Sequence, residues 1–317
     1  MNQQHGVVID CARRYCSVDV LTAVIDELAA GKGDFLQLHF SDNEGYGIAS
    51  DYLALNSGET NPDYLTQQEV TGLIHYANDR NIQVIPDFDV PAHSKYWLER
   101  HQELYPQHVI QTDFDETVVD YFGNEAAVAA VKQMIDDITA LFQQRGLQRL
   151  VIGADEVPGS GSYQQDYIHF INTIADYVTE QGYTPAIWND GVTTDGLKSL
   201  APNVEILYWQ QPEQGLTADE FLSSQRAVYN YNFYTAAFLP NVQRSEQAVH
   251  EQASYIKNHH RLTRFCHHDD PYHAAAASNI AGSAMTFWNE EAAGLSDEEL
   301  LLQLVPLIRA FLQTARQ

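Results

Sequence analysis

LQRLVIGADE, residues 147 to 156, is an apolar run that ends in two adjacent carboxylates. Leu150, Val151 and Ile152 read as a central strand, and Gly153-Ala154 lets other backbone or a ligand come close. Asp155-Glu156 stands where that strand opens onto a loop. Neighbours on a strand point to opposite faces, so the two acids are expected to do different jobs.

Working outward from this strand, the chain repeats one pattern. Val7 to Cys11 is a short strand, and Ser17 caps a helix that runs through Ala30 to Gly31-Lys32-Gly33. Phe35 to Phe40 leads into Ser41-Asp42-Asn43-Glu44, a polar loop to about Thr60, and a helix from Thr66 to Arg80. Ile82 to Pro86 runs into Asp87, Asp89, Pro91 and His93, and a long excursion containing Trp97 precedes a helix near Asn124 to Arg145. After the opening strand comes a helix from Tyr163 to Gln181; Pro185 to Trp188, Glu205 to Trp209, Ala227 to Asn232 and Ala281 to Phe287 are strands five to eight. The chain closes with a helix from Ser296 to about Thr314. Eight strands, each followed by a helix, is the count that closes a parallel sheet, which predicts a single-domain (β/α)8 TIM barrel over residues 1–317. The alternative is an open doubly wound sheet, but DCARRY stands after strand one where a glycine-rich phosphate loop would be.

Composition narrows the partners. Asp and Glu number 43 against 17 Lys and Arg, a net charge of -26 that repels phosphate backbones and anionic lipid, so neither nucleic acid nor a membrane is expected. No run approaches the roughly 18 apolar residues of a membrane span. Cys11, Cys16 and Cys266 are too few for a disulfide framework, and MNQQHGVVID lacks the features of a secretion signal, so a reducing, cytoplasmic setting is expected. An oligomer is compatible with all of this. No cluster has zinc spacing and no G-x-S-x-G elbow is present, so no metal or cofactor is expected. His267-His268-Asp269-Asp270 precedes strand eight and is expected to be a solvated turn at the far end of the barrel.

The site of such a barrel lies at the C-terminal ends of its strands. Three of the four tryptophans, Trp188, Trp209 and Trp288, end strands five, six and eight. Indoles converging there make an apolar box with polar handles, suited to the C–H faces of a small carbohydrate substrate. Arg13, Asp42, Asp190 and Glu290 are strand-end charges able to hold sugar hydroxyls.

Several segments together resemble glycoside hydrolase family 20, the β-N-acetylhexosaminidases, and within it the compact dispersin-like members. They are DCARRY (10–15), LHFSDNEGYGI (38–48), IPDFDVPAH (85–93), IGADE (152–156), WND (188–190), YW (208–209), NYN (230–232) and FWNE (287–290), in order along nearly the whole chain. The resemblance implies retaining, substrate-assisted hydrolysis of terminal β-linked GlcNAc or GalNAc, in which the 2-acetamido oxygen attacks the anomeric carbon and forms an oxazolinium ion. It implies Glu156 as general acid and then base, with its pKa raised toward neutrality, and Asp155 as holder of the acetamido N–H. His93 and Asp42 match residues supporting the acid; Trp188, Trp209 and Trp288 match the aromatic walls, and Arg13 and Glu290 match residues that bind outer hydroxyls, which favours exo cleavage.

The chain also departs from the family pattern. A tyrosine after strand seven usually bonds the acetamido carbonyl; an ungapped reading of NYNFYTAAFLP puts Ala237 there, and Tyr234 is the substitute expected from sequence. QQPEQGLTADE after Trp209 is short and lacks the aspartate found in dispersin-like relatives, while Asn289 and Ala154 stand where glycine is common. Two other readings stay open on the sequence: a weakly active or non-catalytic amino-sugar-binding barrel, and a retaining glycosidase whose nucleophile is Asp89, Asp190 or Glu290.

Overall fold

Short, almost wholly buried strands alternate with amphipathic helices, and parallel pairing of such strands requires the helices as crossovers. The computed structural model describes residues 3–58, 61–108, 123–146, 148–276 and 279–316. The strands are β1 (Gln4–Asp10), β2 (Phe35–Ser41), β3 (Gln83–Val90), β4 (Arg149–Gly153), β5 (Thr184–Trp188), β6 (Glu205–Tyr208), β7 (Val228–Asn230), β8 (Ala237–Phe238), β9 (Arg264–Phe265), β10 (His273–Ala274) and β11 (Gly282–Phe287). The helices are α1 (Val18–Ala30), α2 (Gln67–Asn78), α3 (Lys95–Leu104), α4 (Glu125–Leu141), α5 (Gln164–Glu180), α6 (Thr194–Ser199), α7 (Ala218–Ser223), α8 (Phe233–Ala236), α9 (Glu246–His259) and α10 (Asp297–Thr314). β1 to β7 pair in chain order and β11 pairs in parallel with both β7 and β1, closing the predicted (β/α)8 barrel. Leu147, Thr60 and residues 109–122 of the long third excursion lie outside the described residues. Among the described residues no helix is long and apolar enough to cross a membrane.

The last strand is shared. β7 pairs with the start of β11, at Gly282 and Ser283, and β8 with its end, at Thr286 and Phe287. Between them the chain leaves the sheet for residues 231–236, including the single turn of α8, and this excursion sits over one side of the barrel mouth. Neither β8 nor the small β9–β10 ladder is signalled by periodicity, since two-residue strands carry none.

Helix starts are set locally. Ser17, Asn124 and Ser245 accept N–H bonds at the heads of α1, α4 and α9, and Thr66–Glu69, Thr217–Glu220 and Ser296–Glu299 form capping boxes. Each such cap contributes about 1 kcal/mol. The main apolar layer lies between sheet and helices, and a smaller one, including Val8, Ile85, Val151, Ala186, Leu207 and Ala284, fills the barrel interior. Arg149, only 2 % exposed, fills the N-terminal end: it donates to Glu205 at 2.5 Å and Gln4 at 3.1 Å, contacts the Tyr229 hydroxyl and lies 4.1 Å from that ring's centre. A buried guanidinium is tolerated because Nε and Nη2 are answered by a carboxylate, an amide and a hydroxyl, while Nη1 has no partner among the described residues.

The end of β4 needs glycine. Gly153 has φ +69°, and a Cβ there would come within 2.4 Å of Asp89 Oδ1 and 2.7 Å of Asp89 Cα. Ala154 (φ +72°), Glu156 (φ +49°) and His93 (φ +54°) share the left-handed backbone region, which is costly for residues with side chains and is held by the packing around them. Gly153→Ala combines backbone strain with overpacking, so it is expected to destabilise the fold by about 2–3 kcal/mol, read as a lower urea midpoint at unchanged m-value.

Candidate active site

The C-terminal strand ends enclose a cavity of about 750 Å³, counting its open mouth. Arg13, Asp42, His93, Asp155, Glu156, Trp188, Trp209, Trp288 and Glu290, all singled out from the sequence, border it. Asp190 and Tyr234, also singled out, do not.

Asp42 is the centre of the site. Its Oδ2 accepts from Arg13 Nη2 at 2.7 Å and His39 Nε2 at 2.9 Å, and its Oδ1 accepts from the Asn43 N–H at 2.6 Å and faces His93 Nδ1 at 3.3 Å. Burial would raise its pKa, but the bonds from His39 and His93 outweigh that and hold it well below the usual carboxylate range. His93 turns its other nitrogen, Nε2, to Glu156 Oε2 at 3.3 Å and Asp155 Oδ2 at 3.7 Å. Burial works against a charged imidazole here, yet Asp155, Asp42 and Glu156 push its pKa up to about 12. His39 is likewise held well above its usual value: burial opposes, and Asp89, Asp42 and Asp87 prevail.

The two acids are set apart by these neighbours. Burial, with Asp190 and Glu156 nearby and only partly offset by His93, pushes Asp155 up to about 7. Glu156 shifts the other way: its bond to His93 lowers its pKa against the effect of burial, where the sequence reading expects a raised value. The proton is held on His93 beside it. The expectation that the acids face opposite ways also needs correction. β4 ends at Gly153, and the left-handed turns at Gly153, Ala154 and Glu156 replace strand alternation, so both carboxylates reach the same imidazole.

Strand ends on either side hold this group in place. Asp10 Oδ1 accepts the N–H groups of Ala12 and Arg13, and its Oδ2 accepts from Arg13 Nη1 and the Asn289 N–H. Asn289 Nδ2 donates back to the Asp10 carbonyl at 2.6 Å, a bond that glycine at 289 could not make. Arg13 also lies 3.5 Å from Glu44, 4.0 Å from Glu290 and 5.7 Å from the centre of the Trp288 ring. Trp188 forms the floor, edge-on to Tyr231 at 5.2 Å and 6.0 Å from Trp288.

Asp190 serves the protein. Its Oδ2 accepts the Glu156 N–H at 2.9 Å and its Oδ1 accepts the Trp209 indole N–H at 3.0 Å, so both oxygens are occupied by the neighbouring strand ends. Tyr234 is 56 % exposed and turns outward because Asn232 caps α8 through the Tyr234 and Thr235 N–H groups. Tyr231, Leu239 and Thr286 line the cavity instead, and strand alternation places Ala237 on the same side as Leu239.

Tyr231, Gln37, His39 and Asp87, given no role from the sequence, carry much of the polar interior. Tyr231 donates to Gln37, Gln37 donates to Asp87, and Asp87 Oδ2 lies 3.3 Å from His39, so a polar column rises through the barrel to Asp42. The signal was the alternation Gln37-x-His39 and Asp87-x-Asp89, which puts polar groups on the inner face of two buried strands. Asp89 is buried with its pKa raised, by burial first and then by Asp87 and Asp155. Two triads, His39-Asp87-Asp89 and Asp89-His93-Asp155, hold one potential metal-ligand atom each within 4.8 Å of one another. In the first, the histidine already answers an aspartate. The His267–Asp270 segment is corrected in its place only: His268, Asp269 and Asp270 are exposed, as expected of a solvated turn, but the His268 N–H bonds to Gln211, just beyond Trp209, and buried His267 stacks on His273 at 3.8 Å, which puts the segment at the site end of the barrel.

Known proteins share this chain's family and fold. The family model "Glycosyl hydrolase family 20, catalytic domain" matches residues 3–301. Lacto-N-biosidase of Bifidobacterium bifidum is 30% identical over 191 residues, 52% of this chain and 17% of that protein. A beta-hexosaminidase of Vibrio vulnificus is 26% identical over 268 residues, 62% of this chain and 32% of that one, so the chain spans a third or less of these relatives. Among solved structures, dispersin B superposes with a TM-score of 0.89 at 22% identity, covering 99% of both chains. A catalytic module of the pneumococcal exo-beta-D-N-acetylglucosaminidase StrH superposes at 0.76 with 19% identity, over 98% of this chain and 84% of that one. With a family model matched over nearly its whole length and an acid pair, histidine and tryptophan box at the strand ends, this chain belongs to glycosyl hydrolase family 20.

Proposed function

We propose that the protein is a retaining exo-β-N-acetylhexosaminidase that removes terminal β-linked GlcNAc or GalNAc by substrate-assisted catalysis. The observation that carries this is the His93-centred arrangement, in which one imidazolium touches Glu156 at 3.3 Å and Asp155 at 3.7 Å. Glu156, more than half exposed at the mouth, reaches the glycosidic oxygen, and the proton that His93 shares with it passes to the leaving group. The ionised Glu156–His93 pair then takes a proton from water as the oxazolinium ring opens. Asp155 in its charged form holds the acetamido N–H and offsets the positive charge that develops there.

The floor matches an amide. Asp155 Oδ1 and Trp188 Nε1 are buried and lack protein partners among the described residues, one acceptor and one donor against the one N–H and one C=O of an acetamido group. The Trp188 N–H thus takes the part that a tyrosine at 237 would play. Asp190 and Asp89 are disfavoured as a protein nucleophile, since Asp190 has both oxygens engaged and Asp89 is buried with a raised pKa. Arg13 and Glu290 lie on the strand-eight and strand-one side, suited to the outer hydroxyls of a terminal sugar.

Glu156→Gln is expected to lower kcat/KM on aryl β-N-acetylhexosaminides by about 10²- to 10⁴-fold, and a thiazoline mimic of the oxazolinium ion to inhibit the wild type; activity that survives both sinks the proposal. The acid limb of kcat/KM is expected near pH 7, where Asp155 takes up a proton as pH falls and loses its hold on the amide N–H, and Asp155→Asn should abolish that limb. Asp190→Asn offers an amide NH2 to one of two N–H donors, Glu156 or Trp209, so it should lower kcat about tenfold or more while the protein stays folded, checked by steady-state kinetics alongside a thermal melt.

A further inference from the structure

We infer that Phe233 and Tyr234 form a second sugar-binding surface, taking the apolar face of the pyranose ring on the leaving-group side of the scissile bond. The inference rests on the reading of Glu156 as the acid that protonates the leaving oxygen. From that residue a continuous rim can be followed. The Glu156 N–H bonds to Asp190 at 2.9 Å, Asp190 accepts the Trp209 indole N–H at 3.0 Å, Phe233 lies edge-on to Trp209 at 5.7 Å, and Tyr234 edge-on to Phe233 at 6.2 Å. A sugar unit departing past Glu156 along this rim therefore meets two aromatic rings.

Those rings are unusually open for their size, Phe233 at 39 % and Tyr234 at 56 % exposure, and they are consecutive in sequence. Exposed aromatics beside a polar pocket mark a ligand surface, because a ring face offers apolar contact to sugar C–H groups and the tyrosine adds a hydroxyl handle. The surface is also held rigidly, which lowers the entropy lost on binding. Fully buried Asn232 accepts from the Tyr234 N–H at 2.9 Å and the Thr235 N–H at 3.1 Å, and its own amide donates to the carbonyls of Arg264 at 3.0 Å and Pro271 at 2.9 Å. The Phe233 N–H bonds to the Trp209 carbonyl at 2.9 Å, tying this surface to the wall of the sugar pocket. Tyr234, read from the sequence as a contact for the acetamido group, is thereby reassigned to the opposite side of the cleaved bond.

The test compares two substrates sharing one terminal sugar: a β-linked disaccharide and the corresponding methyl β-glycoside. The readout is the ratio of their kcat/KM values in the wild type, Phe233→Ala, Tyr234→Ala and the double variant. The ratio is expected to fall about tenfold in the double variant and to be retained in Phe233→Tyr and Tyr234→Phe, which keep the rings. A ratio within twofold of the wild type in the double variant, or an equal loss on both substrates, overturns the inference while leaving the proposed hydrolysis intact. If the wild-type protein cleaves neither substrate, the proposed function fails and this inference with it.

Discussion

One carboxylate, on Asp42, constrains the whole mouth of the barrel. It is buried, yet it meets a guanidinium, two imidazoles and a backbone N–H, and such a charge is tolerable only because each lone pair is answered. Those partners come from three different strand ends: Arg13 after β1, His39 within β2 and His93 after β3. The arrangement proposed for catalysis is thus a by-product of solving an electrostatic problem. His93 is oriented by Asp42, remains charged because of its acidic neighbours, and in that state holds a proton 3.3 Å from Glu156.

Fold class and most of the site could be read from the chain, for identifiable reasons. Strand periodicity, glycine and proline punctuation and capping residues are local, and they carried the count of eight βα units. Trp188, Trp209 and Trp288 announced themselves because large rings at strand ends have little structural purpose. What could not be read depended on backbone departures from ideal strands. Strand alternation separated Asp155 from Glu156 on paper, whereas left-handed residues at 153, 154 and 156 bring them to one imidazole. Tyr234 was placed in the pocket because spacing alone does not reveal that Asn232 caps a single helical turn there and turns the ring outward. The raised pKa that the family resemblance implies for Glu156 differs from its lowered one because the 3.3 Å contact with His93 is not legible in the sequence.

The division of labour between the two ends of the barrel follows from where charge is placed. At the N-terminal end Arg149 meets Glu205, Gln4 and Tyr229 through Nε and Nη2, with Nη1 left without a partner among the described residues. At the other end Asp155 Oδ1 and Trp188 Nε1 are left unanswered by protein. A buried polar atom without a partner costs free energy in the empty state, and a ligand that supplies the partner recovers it. The acidic surface elsewhere needs no such interpretation, because dispersed charge of one sign serves solubility.

The shared pairing of β11 bears on how this barrel can vary. Because β7 and β8 are both in register with the same strand, at Gly282–Ser283 and Thr286–Phe287, the excursion between them is anchored at both ends by backbone hydrogen bonds. The exposed side chains of Phe233 and Tyr234 are free to differ, but its length is not. Adding or removing one residue before Ala237 would invert the faces of β8, swinging buried Phe238 from its contact with Phe287 toward the cavity and carrying Leu239 out of it. Substitution at the rim and conservation of its residue count are therefore opposite demands on the same six residues, so diversification of substrate range in barrels built this way would proceed by point replacement rather than by insertion.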